Sequence, residues 1–142
     1  MEQLGLLITA VLSINTILSA FAGLSARRAA QPPTPQLVVE RPAAESTVRG
    51  TIVISGWAVD PGSTNGTGIA PDSVEVWLGP ADSGRWLGIA GYGDPRPDIA
   101  EQLGDTRFLL SGFRYFWNSC EAPAGPQVLT ITARSSAGGS LA

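Results

Sequence analysis

The chain has 142 residues, with nine Arg, no Lys and no His set against 12 Asp and Glu, for a formal charge of −3. Without imidazole it lacks the commonest general base and a common metal ligand. Without a basic patch it is poorly suited to nucleic acid. Cys120 is the only cysteine, so no intrachain disulfide forms, and one thiol cannot assemble a zinc, iron–sulfur or covalent haem site.

From Leu4 to Leu24 no side chain is charged, and Arg27 and Arg28 close the run. At about 1.5 Å per residue it reaches roughly 30 Å, the thickness of a bilayer's hydrocarbon core. Ala20-Phe21-Ala22 has the small-x-small form of an export cleavage site, but Met1-Glu2-Gln3 offers no positive side chain ahead of the apolar run. The expectation is an uncleaved transmembrane helix over residues 1–28. At about 100° per residue, Gly5, Thr9, Ser13, Thr16, Ala20 and Gly23 form one stripe, opposite Leu4, Leu7, Val11, Ile14, Leu18 and Phe21. Small residues allow close backbone approach in lipid, so the stripe is expected to pack on another membrane helix. The alternative is that its hydroxyls bond back to their own helix carbonyls. Asn15 lies off the stripe and also favours a polar partner.

Residues 29–36 contain Pro32, Pro33 and Pro35. That spacing favours polyproline geometry, about 3.1 Å per residue, and a semi-rigid spacer.

The remainder, residues 37–142, is long enough for one domain with its own core. After residue 30 the sequence holds eleven Asp and Glu and seven Arg, a charge of −4. Strand patterns begin at Gln36–Glu40 and strengthen in the β-branched run Thr51–Val59. A long turn follows, from Asp60-Pro61-Gly62 through Asn65-Gly66-Thr67-Gly68. Asp72 to Leu78 alternates, with Val74, Val76 and Leu78 on one face and Glu75 and Trp77 on the other. After Asp82-Ser83-Gly84, one strand is expected from Trp86 to Tyr92.

Arg96 to Gly104 reads as a helical turn, with Pro97 suited to a first helical position and Gly104 to the stop. Phe113, Tyr115 and Trp117 then alternate with Arg114 and Phe116, and Val128–Arg134 closes the domain with Leu129, Ile131 and Ala133 inward. The pattern predicts an all-β fold, a sandwich of about seven short strands. Trp57 and Trp117 are expected in its core. Trp77, on the outward register, joins Trp86 and Tyr92 as a candidate partner surface.

Gly56-Trp57-Ala58-Val59-Asp60, then Thr67-Gly68-Ile69 leading into Asp72-Ser73-Val74-Glu75-Val76, resembles a bacterial immunoglobulin-like domain. Leu87-Gly88-Ile89-Ala90, Tyr92-Gly93, Arg96-Pro97-Asp98, Ser111-Gly112-Phe113 and Gly125-Pro126-Gln127-Val128-Leu129-Thr130 continue the resemblance in order, over roughly residues 38–139. It implies an exported immunoglobulin-like β-sandwich serving as a spacer, adhesive or assembly module, with no shared catalytic residues. Arg27 and Arg28 behind the helix and Glu2 ahead of it would place the domain in the cytoplasm by the positive-inside rule. The resemblance implies the opposite face, and an extracytoplasmic domain on a cell-membrane anchor is the expectation retained.

Catalysis finds little support. Cys120 has no imidazole partner, and no Gly-x-Ser-x-Gly elbow is present. Asp94 and Asp98 flank Pro95-Arg96-Pro97, which fits a capped turn with an ion-paired Arg96 better than a carboxylate pair. Asp60, Asp72 and Asp82 lack calcium-loop spacing. Asn65-Gly66-Thr67 fits a glycosylation sequon, read as a chance match in a bacterial-type chain. No catalytic residue, metal, cofactor or small-molecule substrate is therefore expected.

The leading reading is a non-catalytic accessory subunit, its helix packed against integral membrane subunits and its sandwich on the outer face. Respiratory and photosynthetic electron-transfer complexes supply the analogy. A cell-surface adhesion or glycan-binding module is the alternative, and a pilin-like filament subunit the second.

Overall fold

The computed structural model describes residues 34–142. The expected transmembrane helix and most of the Pro-rich linker lie outside the described residues. Among the described residues no helix is long and apolar enough to cross a membrane.

The chain enters β1 (Gln36–Arg41), turns, and returns antiparallel through β2 (Thr51–Val59). After the long Asp60 loop come β3 (Glu75–Leu78), β4 (Arg85–Ile89) and β5 (Gly91–Asp94). Helix α1 (Pro97–Leu103) and a short 3-10 turn at Thr106–Phe108 precede β6 (Gly112–Asn118). The strands β7 (Leu129–Arg134) and β8 (Ser140–Leu141) complete the fold. They form two four-stranded antiparallel sheets, ordered β1-β2-β6-β5 and β4-β3-β7-β8.

The alternation read from the sequence explains how the sheets meet. Ile54 and Ala58 of β2 and Phe113 and Trp117 of β6 face Val76 of β3 and Leu129, Ile131 and Ala133 of β7 in one buried cluster. Period-two alternation gives each strand one apolar face, and burying those faces against each other is the main stabilising term.

A second cluster lies outside the sandwich. Trp57 and Val59 point away from the core and are covered by Ile99 of α1 and Phe108. Trp57 is thus buried as expected, but beneath a helix rather than between sheets. Pro97 starts α1 and Gly104, at φ 67°, caps it in the left-handed conformation.

Three expectations change. The single strand foreseen from Trp86 to Tyr92 is two, because the chain crosses between sheets at Ala90, whose buried N–H donates 2.8 Å to the Val74 carbonyl. The strand expected from Val128 starts at Leu129, with Val128 exposed. Two-residue β8 was not foreseen, and the count among the described residues is eight strands. Two residues carry too little pattern to register as a strand.

Candidate docking face

The outer face of the β4-β3-β7-β8 sheet is shaped by one irregularity. Val76 pairs with Gly88 and Trp77 pairs with Trp86, so β4 carries Leu87 as an extra residue. In a regular strand Trp86 and Ile89 would face opposite ways. The bulge reverses the alternation between them: Leu87 packs against the core, while Trp86 and Ile89 both face outward.

The core holds the bulge in place. The Tyr115 hydroxyl on β6 donates to the Leu87 carbonyl at 2.8 Å. Gly88 leaves room for that ring, since a Cβ there would stand 2.8 Å from the same hydroxyl.

The resulting surface centres on Trp77, which faces Trp86 on one side and Thr130 on the other. Trp86 is 50% exposed and Ile89 45%, with Trp77 half-buried beside them. Glu75 and Thr132 continue the face, and the Thr130 hydroxyl donates to the Gly79 carbonyl at 2.7 Å. The Trp77 indole N–H is buried and has no hydrogen-bond partner among the described residues. Two rigid indoles and a branched aliphatic side chain offer large contact area at low entropic cost, the composition of an interface centre.

Tyr92 does not belong to this face. It lies on β5 in the other sheet, packs against the core, and donates its hydroxyl to the Ala58 carbonyl at 2.7 Å. Burial pushes its pKa up to about 12, opposed by a hydrogen bond with Thr67. The structure therefore joins Trp77 with Trp86 and places Tyr92 elsewhere. Gly5, Thr9, Ser13, Thr16, Ala20 and Gly23 lie outside the described residues.

The aspartates singled out in the sequence lie in ion pairs and turns. Arg96 bridges Glu40 of β1 and Asp98 of α1, at 2.8 and 2.6 Å. Asp98, with Glu40 behind it, raises the guanidinium above its ordinary value, and Arg96 lowers Asp98 to about 2. Asp94 pairs separately with Arg114 at 3.1 Å. A shallow cleft of about 220 Å³ lies among Glu40, Ser55, Asp94 and Arg96, and each of its charged groups is engaged in an ion pair, Glu40 with Arg96 and Asp94 with Arg114.

Asp60 is buried and accepts from the Gly62 N–H and the Ser135 hydroxyl, fixing the long loop. Asp72 lies at that end of the sandwich, ahead of β3, and Asp82 in the turn beyond the opposite end. Among the described residues no three His, Cys, Asp or Glu side chains are grouped to hold a metal ion. Cys120 is exposed in a 3-10 turn after β6.

Sequence reading passed over Ile89, because regular alternation puts it on the same face as Leu87. The Gly88 that follows the extra residue was its only local signal. Phe116, 62% exposed on the outer face of the first sheet, figures in the sequence pattern only as an alternating position, with no role assigned.

No family model, no curated protein and no solved structure matches the chain.

Proposed function

We propose that this protein is a non-catalytic, single-pass membrane subunit whose immunoglobulin-like domain docks on a larger membrane complex. The strand order supports the fold reading: β1-β2-β6-β5 facing β4-β3-β7-β8 corresponds to A-B-E-D facing C′-C-F-G of the immunoglobulin arrangement. The observation that carries the functional reading is the bare Trp77–Trp86–Ile89 face, on the sheet opposite the one covered by α1. The uncharged run Leu4–Leu24 and the prolines after it supply the anchor and spacer. In this reading the small-residue stripe contacts integral subunits, the domain is extracytoplasmic, and the tryptophan face meets a neighbouring subunit of the same complex. An electron-transfer complex of respiration or photosynthesis fits by analogy alone.

A glycan-binding role is the second reading. Its support is the polar row beside the indoles, Thr130 opposite Trp77 and Thr132 opposite Glu75, where the Glu75 carboxylate would accept from a sugar stacked on Trp86.

Purification of the full chain from membranes in mild detergent separates the two. Integral partners at constant ratio, lost on Trp86→Ala, support the subunit reading. A partner-free monomer that binds oligosaccharide through Trp86 overturns it.

A further inference from the structure

We infer that Asn65 is a spontaneous deamidation site, at which the chain converts its own amide to aspartate and isoaspartate. The reaction needs three things: a mobile amide side chain, a small following residue, and a backbone N–H free to lose its proton and attack. In the step itself, the Gly66 nitrogen forms a bond to the Asn65 side-chain carbonyl carbon. Ammonia leaves, taking the amide nitrogen, and a cyclic imide remains. Water then opens the imide at either carbonyl, giving aspartate or isoaspartate and one new negative charge.

The Asp60 loop presents this arrangement. Asn65 and Gly66 are both exposed. Gly66 is the one residue type without a Cβ to hinder the attack, and at φ 49° it has open space where a Cβ would stand. The Asn65 side chain has no hydrogen-bond partner among the described residues, and neither has the Gly66 N–H. The backbone of Asn65 is fixed instead: its N–H donates to the Ser63 hydroxyl at 3.2 Å and its carbonyl accepts from Gly68 at 2.7 Å.

Asn118 is the internal contrast. Its side chain accepts from the Cys120 N–H at 3.1 Å, and the N–H of the next residue, Ser119, donates to Gly50 at 2.9 Å. Both the amide and the attacking nitrogen are thus occupied there. In the folded protein Asn65, in a turn, and Asn118, at the end of β6, should differ sharply in rate although both are exposed.

The product should stay folded. Arg107 holds the Pro61 and Ser63 carbonyls on one side of the site, and the Ser136 N–H holds the Gly68 carbonyl at 2.8 Å on the other. Isoaspartate lengthens the backbone by one methylene at residue 65, so the strain falls on the Gly68–Asn65 turn bond.

The test is peptide mass analysis of the full chain in detergent, incubated at mildly alkaline pH with and without denaturant. Native protein is expected to gain the mass of an amide-to-acid exchange at Asn65, as an aspartate–isoaspartate mixture, with Asn118 unchanged. Denaturant should bring Asn118 conversion up several-fold. Gly66→Ala should slow the native reaction by an order of magnitude, and Asn65→Gln should abolish it. An unmodified Asn65, equal conversion at Asn118 in the native state, or a sugar found on Asn65 would overturn the inference.

Discussion

Tyr115 on β6 and Leu87 on β4 are joined across the sandwich by a 2.8 Å hydrogen bond from the phenol to the carbonyl of the bulged residue. A core side chain of one sheet thereby fixes the register irregularity that turns Ile89 onto the outer face of the other. Tyr115→Phe should leave that carbonyl without its partner and cost about 1 to 2 kcal/mol in denaturant unfolding. Gly88→Ala should cost about 2 kcal/mol by crowding the ring. Because the hydroxyl is the nearest atom to the added methyl, the double variant should lose less than the two single losses together. Additive losses would break the proposed coupling.

Trp86 is half exposed, so Trp86→Ala should lower stability by only about 1 kcal/mol, chiefly its pairing with Trp77. Its effect on partner retention should be far larger. A pull-down in which Trp86→Ala and Ile89→Asp keep every partner would remove this face from the interface.

Helix α1 is held by apolar contact with the outer side of the first sheet. Ile99 is 3% exposed against Trp57 and Phe108, and Ile99→Ala should cost about 3 kcal/mol. Loosening of α1 should also shift tryptophan emission to longer wavelength as Trp57 meets water. Unchanged emission with full loss of stability would place the damage elsewhere.

Tyr92 should make stability fall at alkaline pH. Its proton is held to about pH 12 in the fold and to its ordinary value of 10.0 in the unfolded chain. That contribution is fully present below pH 10 and is lost as pH rises through 12. Urea midpoints measured from pH 8 to 11.5 should decline for the natural sequence, and less steeply for Tyr92→Phe. Parallel curves would rule out the linkage.

Asp98 works in the opposite direction. Arg96 lowers it from 3.8 to about 2, so its contribution is present above the ordinary value and disappears as pH falls through 2. Asp98→Asn should flatten the acid limb of the stability curve, and the difference should shrink in high salt because the carboxylate is exposed.

Most of the strands and their inward faces were legible because burial imposes a period of two. Val74, Val76 and Leu78, like Leu129, Ile131 and Ala133, could face only one core. Helix α1 was legible from Pro97 and Gly104, whose backbone restrictions are local. The break at Ala90 was not, since Leu87 to Tyr92 is equally compatible with one strand or two. The candidate face was half legible: outward Trp77 followed from alternation, but Ile89 did not, and Tyr92 was assigned to the surface on residue type alone.

By itself the sequence determined an all-β domain with alternating apolar faces, preceded by an uncharged run and a proline-rich segment. Local periodicity and backbone chemistry suffice for that. Only the tertiary structure decided which sheet each half of Trp86–Tyr92 joins, that Trp57 lies beneath a helix, and that Trp86 and Ile89 share a face. Each of these depends on contacts between residues distant in sequence, Tyr115 with Leu87 and Ile99 with Trp57, whose pairing no local pattern encodes.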